Sequence, residues 1–131
     1  MQFIASPTDA ALGLPFCAAV RVGDMLYLSG AIGNRPGTLT LVEGGIAAEA
    51  AQAMRNIGAV LKNCGLRFAD VVKCTIMLAD IGEWRVFNAV YVGFFEAGKL
   101  PARSAFGANG LALGARVEIE ALARVGYHRT R

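Results

Sequence analysis

The sequence predicts an α+β domain built on a mixed β-sheet with two helices packed on one face. Three features carry this expectation. Two segments place apolar residues at helical three- and four-residue spacing, the remaining apolar runs are short and extended, and the order along the chain is strand, strand, helix, strand, helix, strand, strand. At 131 residues the chain is long enough for one core and too short for two, so residues 1–131 are read as a single domain.

After a loose start, residues 17–22 and 25–32 form two extended runs separated by Gly23-Asp24, the composition of a two-residue type II′ hairpin. The second run ends in Ser29-Gly30, where a glycine marks either a bulge or a close approach by a ligand or another chain. Residues 33–45 carry Pro36 and several glycines and read as a loop. Ile46, Ala50, Ala53, Met54, Ile57, Val60, Leu61 and Cys64 then share one helical face, with Gly65 as the stop and Leu66 folded back on the last turn.

Residues 70–79 alternate, with Val72, Cys74, Ile76 and Leu78 on one side and Val71, Lys73, Thr75 and Met77 on the other, the mark of a central strand. Asp80 and Glu83 have capping-box spacing, and the helix they open runs to about residue 97 with Trp84, Phe87, Tyr91, Phe94 and Phe95 as a core-facing stripe. Two final strands follow, one entered at Pro101 and one containing Val117 to Ala121, joined by a loop over 108–115 that is expected to return the last strand antiparallel beside the first.

Composition bounds the rest. Hydrophobic residues are 55% of the chain and charged residues 18%, more apolar surface than a small monomer usually hides, and helices on one face leave the other in need of a cover. Self-association through that face, closed into a ring, is the expectation. No stretch of about 18 residues lacks charges or breakers, so no membrane span is expected. The net charge of +3 is scattered, and the basic tail of His128, Arg129 and Arg131 reads as a solvated end, so no nucleic-acid partner is expected. The start of the chain lacks the pattern of a secretory signal, and Cys17, Cys64 and Cys74 are odd in number and set among apolar residues. These features predict reduced thiols, no metal site and a cytoplasmic protein.

The candidate site residues gather near the C-terminal end. Arg103 follows Pro101 among small and apolar neighbours, and a guanidinium there must find an acceptor, either an external carboxylate or an acid of its own chain. Glu118 and Glu120 leave the last strand on the face opposite Val117, Ile119 and Ala121, and one of them is expected across from Arg103. Asn88 lies one turn beyond Trp84 and reads either as a polar site residue or as an exposed or locally bonded asparagine.

Pro101-Ala-Arg-Ser followed by Val117-Glu-Ile-Glu-Ala resembles the C-terminal signature of the Rid or YjgF-type reactive intermediate deaminases. The likeness extends to Leu26-Tyr-Leu-Ser-Gly, Gly44-Gly-Ile, Val71-Val-Lys and residues 88–95, covering the chain from about 13 to 123. The resemblance implies a chorismate-mutase-like subunit assembled as a homotrimer with clefts between subunits. It also implies hydrolysis of enamines and imines to 2-oxo acids and ammonia without a metal or organic cofactor. By motif position Arg103 would clamp the substrate carboxylate and Glu118 would position or activate water, while Ser29, Gly30 and Asn88 would line the pocket. Phe16 and Ala105 stand where relatives often carry tyrosine and cysteine, and Asn109 replaces a small or basic residue of the signature. Those departures leave two further expectations open: a trimeric carboxylate-binding or regulatory protein without turnover, and a deaminase confined to a larger product of one pathway.

Overall fold

The computed structural model describes residues 1–126, so the basic tail, with His128, Arg129 and Arg131, lies outside the described residues. Six strands form one sheet: β1 (Gln2–Ile4), β2 (Ala19–Val22), β3 (Met25–Leu28), β4 (Val71–Leu78), β5 (Ala102–Gly107) and β6 (Val117–Arg124), in the spatial order β1-β2-β3-β6-β4-β5. Helices α1 (Gly45–Asn63) and α2 (Trp84–Tyr91) complete the architecture. All pairings are antiparallel except β4 with β5, so the sheet is mixed.

The hairpin forms as expected, with Gly23 at φ 61° and Asp24 outside the positive-φ region, the type II′ pattern. Helix α1 ends in the expected manner too: the amide of Leu66 donates to Leu61 O at 2.8 Å and that of Gly65 to Lys62 O at 3.0 Å, satisfying the last carbonyls. The start of the chain is not loose, because Gln2–Ile4 pairs with β2. Three residues are too few to show periodicity.

Three other expectations are corrected. The stretch after Asp80 opens with a short 3₁₀ turn, in which Asp80 Oδ1 accepts from the Gly82 amide at 2.8 Å while Glu83 pairs with Arg116 instead of completing a capping box. Helix α2 also ends early, passing into a second 3₁₀ turn over Val92–Phe94 before Phe95 turns extended; Gly93, a weak helix former, sits within that turn. In β4 a bulge between Val71 and Lys73 lets Val71 join the core and leaves Val72 exposed, reversing the face assigned to both.

A further correction concerns connectivity. Helix α2 carries the chain from the end of β4 back to its beginning, and such a crossover makes the next strand parallel. β5 therefore takes the outer edge beside β4. The loop 108–115 passes over the end of β4, and β6 enters between β4 and β3, so it is not the neighbour of β5.

One face of the sheet, with Leu26, Leu28, Cys74, Ile76, Leu78, Val117, Ile119 and Ala121 buried, packs against Ala50, Ala53, Met54, Ile57 and Leu61 of α1 and Phe87 and Tyr91 of α2. By strand alternation the opposite face carries Tyr27, Leu122, Glu118, Glu120, Thr75, Met77 and Phe106. Among the described residues no helix covers it, and Tyr27 and Phe106 are exposed. Among the described residues no helix is long and apolar enough to cross a membrane.

Candidate active site

Arg103 is the second residue of β5 and lies opposite Cys74 in β4, whose side chain belongs to the buried, helix-covered face. Its guanidinium therefore projects beneath α2. Its Cζ stands 5.9 Å from the ring centroid of Trp84, 5.8 Å from that of Phe87 and 4.9 Å from that of Tyr91. Positions 84, 87 and 91 fall on one stripe of a helix, so a single element delivers all three rings. Such contacts contribute about 0.5–2 kcal/mol depending on desolvation.

Among the described residues Arg103 has no carboxylate partner; the acids paired with arginines are Glu83, with Arg116, and Asp24, with Arg124. Of the two expectations for this guanidinium, a bond to the chain's own acid is thus not realised. The aromatic stripe read as core is core at Phe87 and Tyr91, but it is also the seat of the arginine. The chain's sole tryptophan, placed at the exposed outer end of that stripe, was the available signal.

Glu118 occupies the other face. It stands between buried Val117 and Ile119 in β6 and lies opposite Met77. The register between β3 and β6 changes by one residue from Tyr27↔Leu122 to Ala31↔Ile119, so Ser29-Gly30 sits in a bulge. A Cβ built on Gly30 would collide with Glu118 Oε2, so the lack of a side chain at position 30 is what lets this carboxylate lie against the end of β3. Burial first, and the like charge of Glu120 second, raise the Glu118 carboxyl above the ordinary carboxylate range.

The remaining residues divide between these two places. Ala105 lies two residues after Arg103 on the same face, opposite Ile76, and Asn88 sits on α2 with a buried Oδ1 that has no hydrogen-bond partner among the described residues. Phe16, Ser29 and Gly30 instead share the wall of a cavity of about 660 Å³ between the start of the chain, the end of β3 and α1. The Ser29 hydroxyl donates to Cys17 O at 2.7 Å. Within one chain Arg103 and Glu118 are not brought together. They leave opposite faces of the sheet from strands separated by β4, two strand spacings or roughly 10 Å apart.

Burial pushes the thiols of Cys64 and Cys74 up, so neither favours the nucleophilic thiolate. Among the described residues no group of His, Cys, Asp and Glu side chains could hold a metal ion.

A family model described as Endoribonuclease L-PSP matches residues 8–125. The rat protein named 2-iminobutanoate/2-iminopropanoate deaminase is 45% identical over 125 residues, covering 95% of this chain and 90% of the relative. The human protein of the same name is 44% identical over 112 residues, covering 86% and 81%. Among solved structures, RidA from an Antarctic Psychrobacter superposes with a TM-score of 0.85 at 34% identity, covering 95% of this chain and 99% of that one. The YjgF gene product of E. coli does so with a TM-score of 0.84 at 32% identity, covering 95% and 98%.

Proposed function

Because the chain belongs to the endoribonuclease L-PSP family, which includes the YjgF and RidA proteins, we propose that it is a deaminase of reactive enamines and imines. Its products are a 2-oxo acid and ammonia. The observation that carries this reading is the Arg103 guanidinium, seated on three rings with no acid of its own among the described residues. Its N–H fork suits the carboxylate of a 2-imino acid.

The chemistry then needs little. Glu118 accepts a proton from water as the water oxygen bonds to the imine carbon and the C=N π electrons move to nitrogen. That proton is returned to the nitrogen, and as the C–N bond of the carbinolamine breaks the hydroxyl proton passes through Glu118 to the departing nitrogen, giving the 2-oxo acid and ammonia. A carboxylate with a raised pKa is suited to both transfers. No cofactor enters the scheme. The two candidate half-sites contain no histidine for phosphodiester cleavage, and the single histidine, His128, lies outside the described residues.

Arg103 and Glu118 on opposite faces make one site if they come from different copies. We therefore place the site in clefts of a homotrimer, where the uncovered face is buried and Arg103, Ala105 and Asn88 of one subunit meet Phe16, Ser29, Gly30 and Glu118 of the next. The partners are a small carboxylate-bearing substrate and further copies of the chain, with no role for nucleic acid or a membrane. The three cysteines, none of them paired, suit a reducing cytoplasm.

The test is release of 2-oxo acid and ammonia from an imine generated in the assay by a threonine dehydratase. The protein should accelerate it over buffer. Trp84 supplies an independent readout, being the only tryptophan and lying against Arg103. Titration with 2-oxobutanoate should change its emission saturably in the wild type and leave it unchanged in Arg103→Ala. Gly30→Ala should push the Glu118 carboxylate off its position and lower kcat roughly a hundredfold, because small displacements of a positioned group are costly. Little change in Tm is expected, since the atom displaced ends a flexible side chain. An unchanged kcat would remove Glu118 from the site.

The competing reading is a trimeric carboxylate-binding protein without turnover. It is favoured by the engagement of the Ser29 hydroxyl with Cys17 O and by Phe16 and Ala105, which bring no polar side-chain atom. That reading predicts the Trp84 response without any acceleration of hydrolysis.

A further inference from the structure

We infer that the cavity beside Gly30 receives the apolar side chain of the substrate, which makes imines of large apolar amino acids the preferred substrate class. This rests on the deaminase reading above. At about 660 Å³ the cavity falls within the size range of small-molecule sites and far exceeds what a methyl group needs.

Its walls are apolar, with Leu14, Phe16, Leu28, Leu39, Ile57 and Val60 prominent among them. The polar side chains along the wall are already engaged within the chain. Ser29 Oγ donates to Cys17 O at 2.7 Å, and Ser6 Oγ accepts from the Asp9 amide at 2.8 Å. Asn34 Nδ2 donates to Thr38 O at 2.9 Å, and Asn56 Nδ2 to Ile32 O at 2.9 Å. Asp9, the only acid on the wall, accepts from the Gly37 amide at 2.7 Å through one oxygen and from Asn34 through the other. Among the described residues no lysine or arginine lines the space, so they offer a carboxylate no cationic anchor there. What it can take from water is hydrocarbon.

Position then links the cavity to the chemistry. Gly30 lines the cavity, and its missing side chain would point at Glu118 Oε2, so one residue of backbone separates the cavity from the carboxylate assigned to the water. Exposed Phe16, Leu39 and Leu113 form the rim. A substrate held at Arg103 of one subunit with its imine carbon at Glu118 of the next would direct its side chain over this rim.

The experiment generates imines in the assay with an L-amino-acid oxidase acting on alanine, leucine, methionine or phenylalanine, and compares kcat/KM. Burial of each added methylene should raise kcat/KM by roughly fourfold, several tens of fold in all from the alanine to the leucine imine. Ala59→Trp, which fills the cavity from α1, should lower the leucine-to-alanine ratio. Leu39→Glu, at the exposed rim, should lower it as well and serves if the first variant fails to fold. Hydrolysis of the alanine imine with a flat or inverted ratio would overturn the inference and leave the deaminase reading standing. So would a wild-type ratio that both variants preserve. No hydrolysis of any imine would overturn the deaminase reading itself.

Discussion

Arg103→Ala should lower kcat/KM on imine substrates by roughly 10²- to 10³-fold, the scale expected when one partner of a desolvated, hydrogen-bonded charge pair is removed. Arg103→Lys should recover only part of this loss, because an ammonium lacks the planar fork and stacks less well on the rings of Trp84, Phe87 and Tyr91. The stronger form of the experiment uses two inactive proteins. If Arg103 and Glu118 serve one site from different subunits, co-expressed Arg103→Ala and Glu118→Gln chains will form some clefts with both residues intact. Random assembly predicts recovery of roughly one quarter of wild-type activity. A mixture as inactive as either parent would place both residues in the same chain's site and remove the inter-subunit cleft.

Glu118→Gln should lower kcat by roughly 10²- to 10⁴-fold, the usual contribution of a positioned general base, and should at the same time raise Tm at pH 7. The sign follows from the raised carboxyl. Burial and Glu120 hold its folded pKa above the unfolded value, so the folded state binds more protons than the unfolded state between those two values. Stability is therefore lost as pH rises through that window, and it is restored when the group is protonated. The stability gap between Glu118→Gln and wild type should be open at pH 7 and should close as pH falls below the unfolded carboxyl pKa. The acid limb of kcat in the wild type should lie above the ordinary carboxylate range. Equal Tm values across this span, measured by calorimetry, would show that Glu118 is fully solvated.

Much of this arrangement was legible in the residues. The periods of 3.6 and 2 located α1, β4 and β6, and the Gly23-Asp24 and Gly65 signals placed two boundaries, because each is decided by local backbone chemistry. Arg103 and Glu118 stood out for similar reasons, as an arginine among small residues and an acid on an alternating strand. Their relation was not legible. Strand order depends on where α2 sends the chain, and the parallel pairing of β4 with β5 puts Arg103 on the opposite face from Glu118. The bulge at Val71–Lys73 was equally hidden, because one extra residue there changes the facing of its neighbours without a distinctive residue pattern, whereas Gly30 marked the one at Ser29-Gly30. The seating of Arg103 on α2 was missed because an aromatic stripe reads the same whether it faces only aliphatics or also a cation.

The outer position of β5 has a consequence for the life of the subunit. One side of this strand pairs with β4, and no strand among the described residues lies along the other, whereas the opposite edge of the sheet is closed by the three-residue β1. Six residues of open ladder beside exposed Phe106 form a template for strand addition by any other extended chain. In the trimer proposed above, a subunit released from the assembly would thus be lost by aggregation while its core is still folded. Its working lifetime on dilution or mild heating would be governed by how fast the assembly dissociates, and only secondarily by the free energy of unfolding.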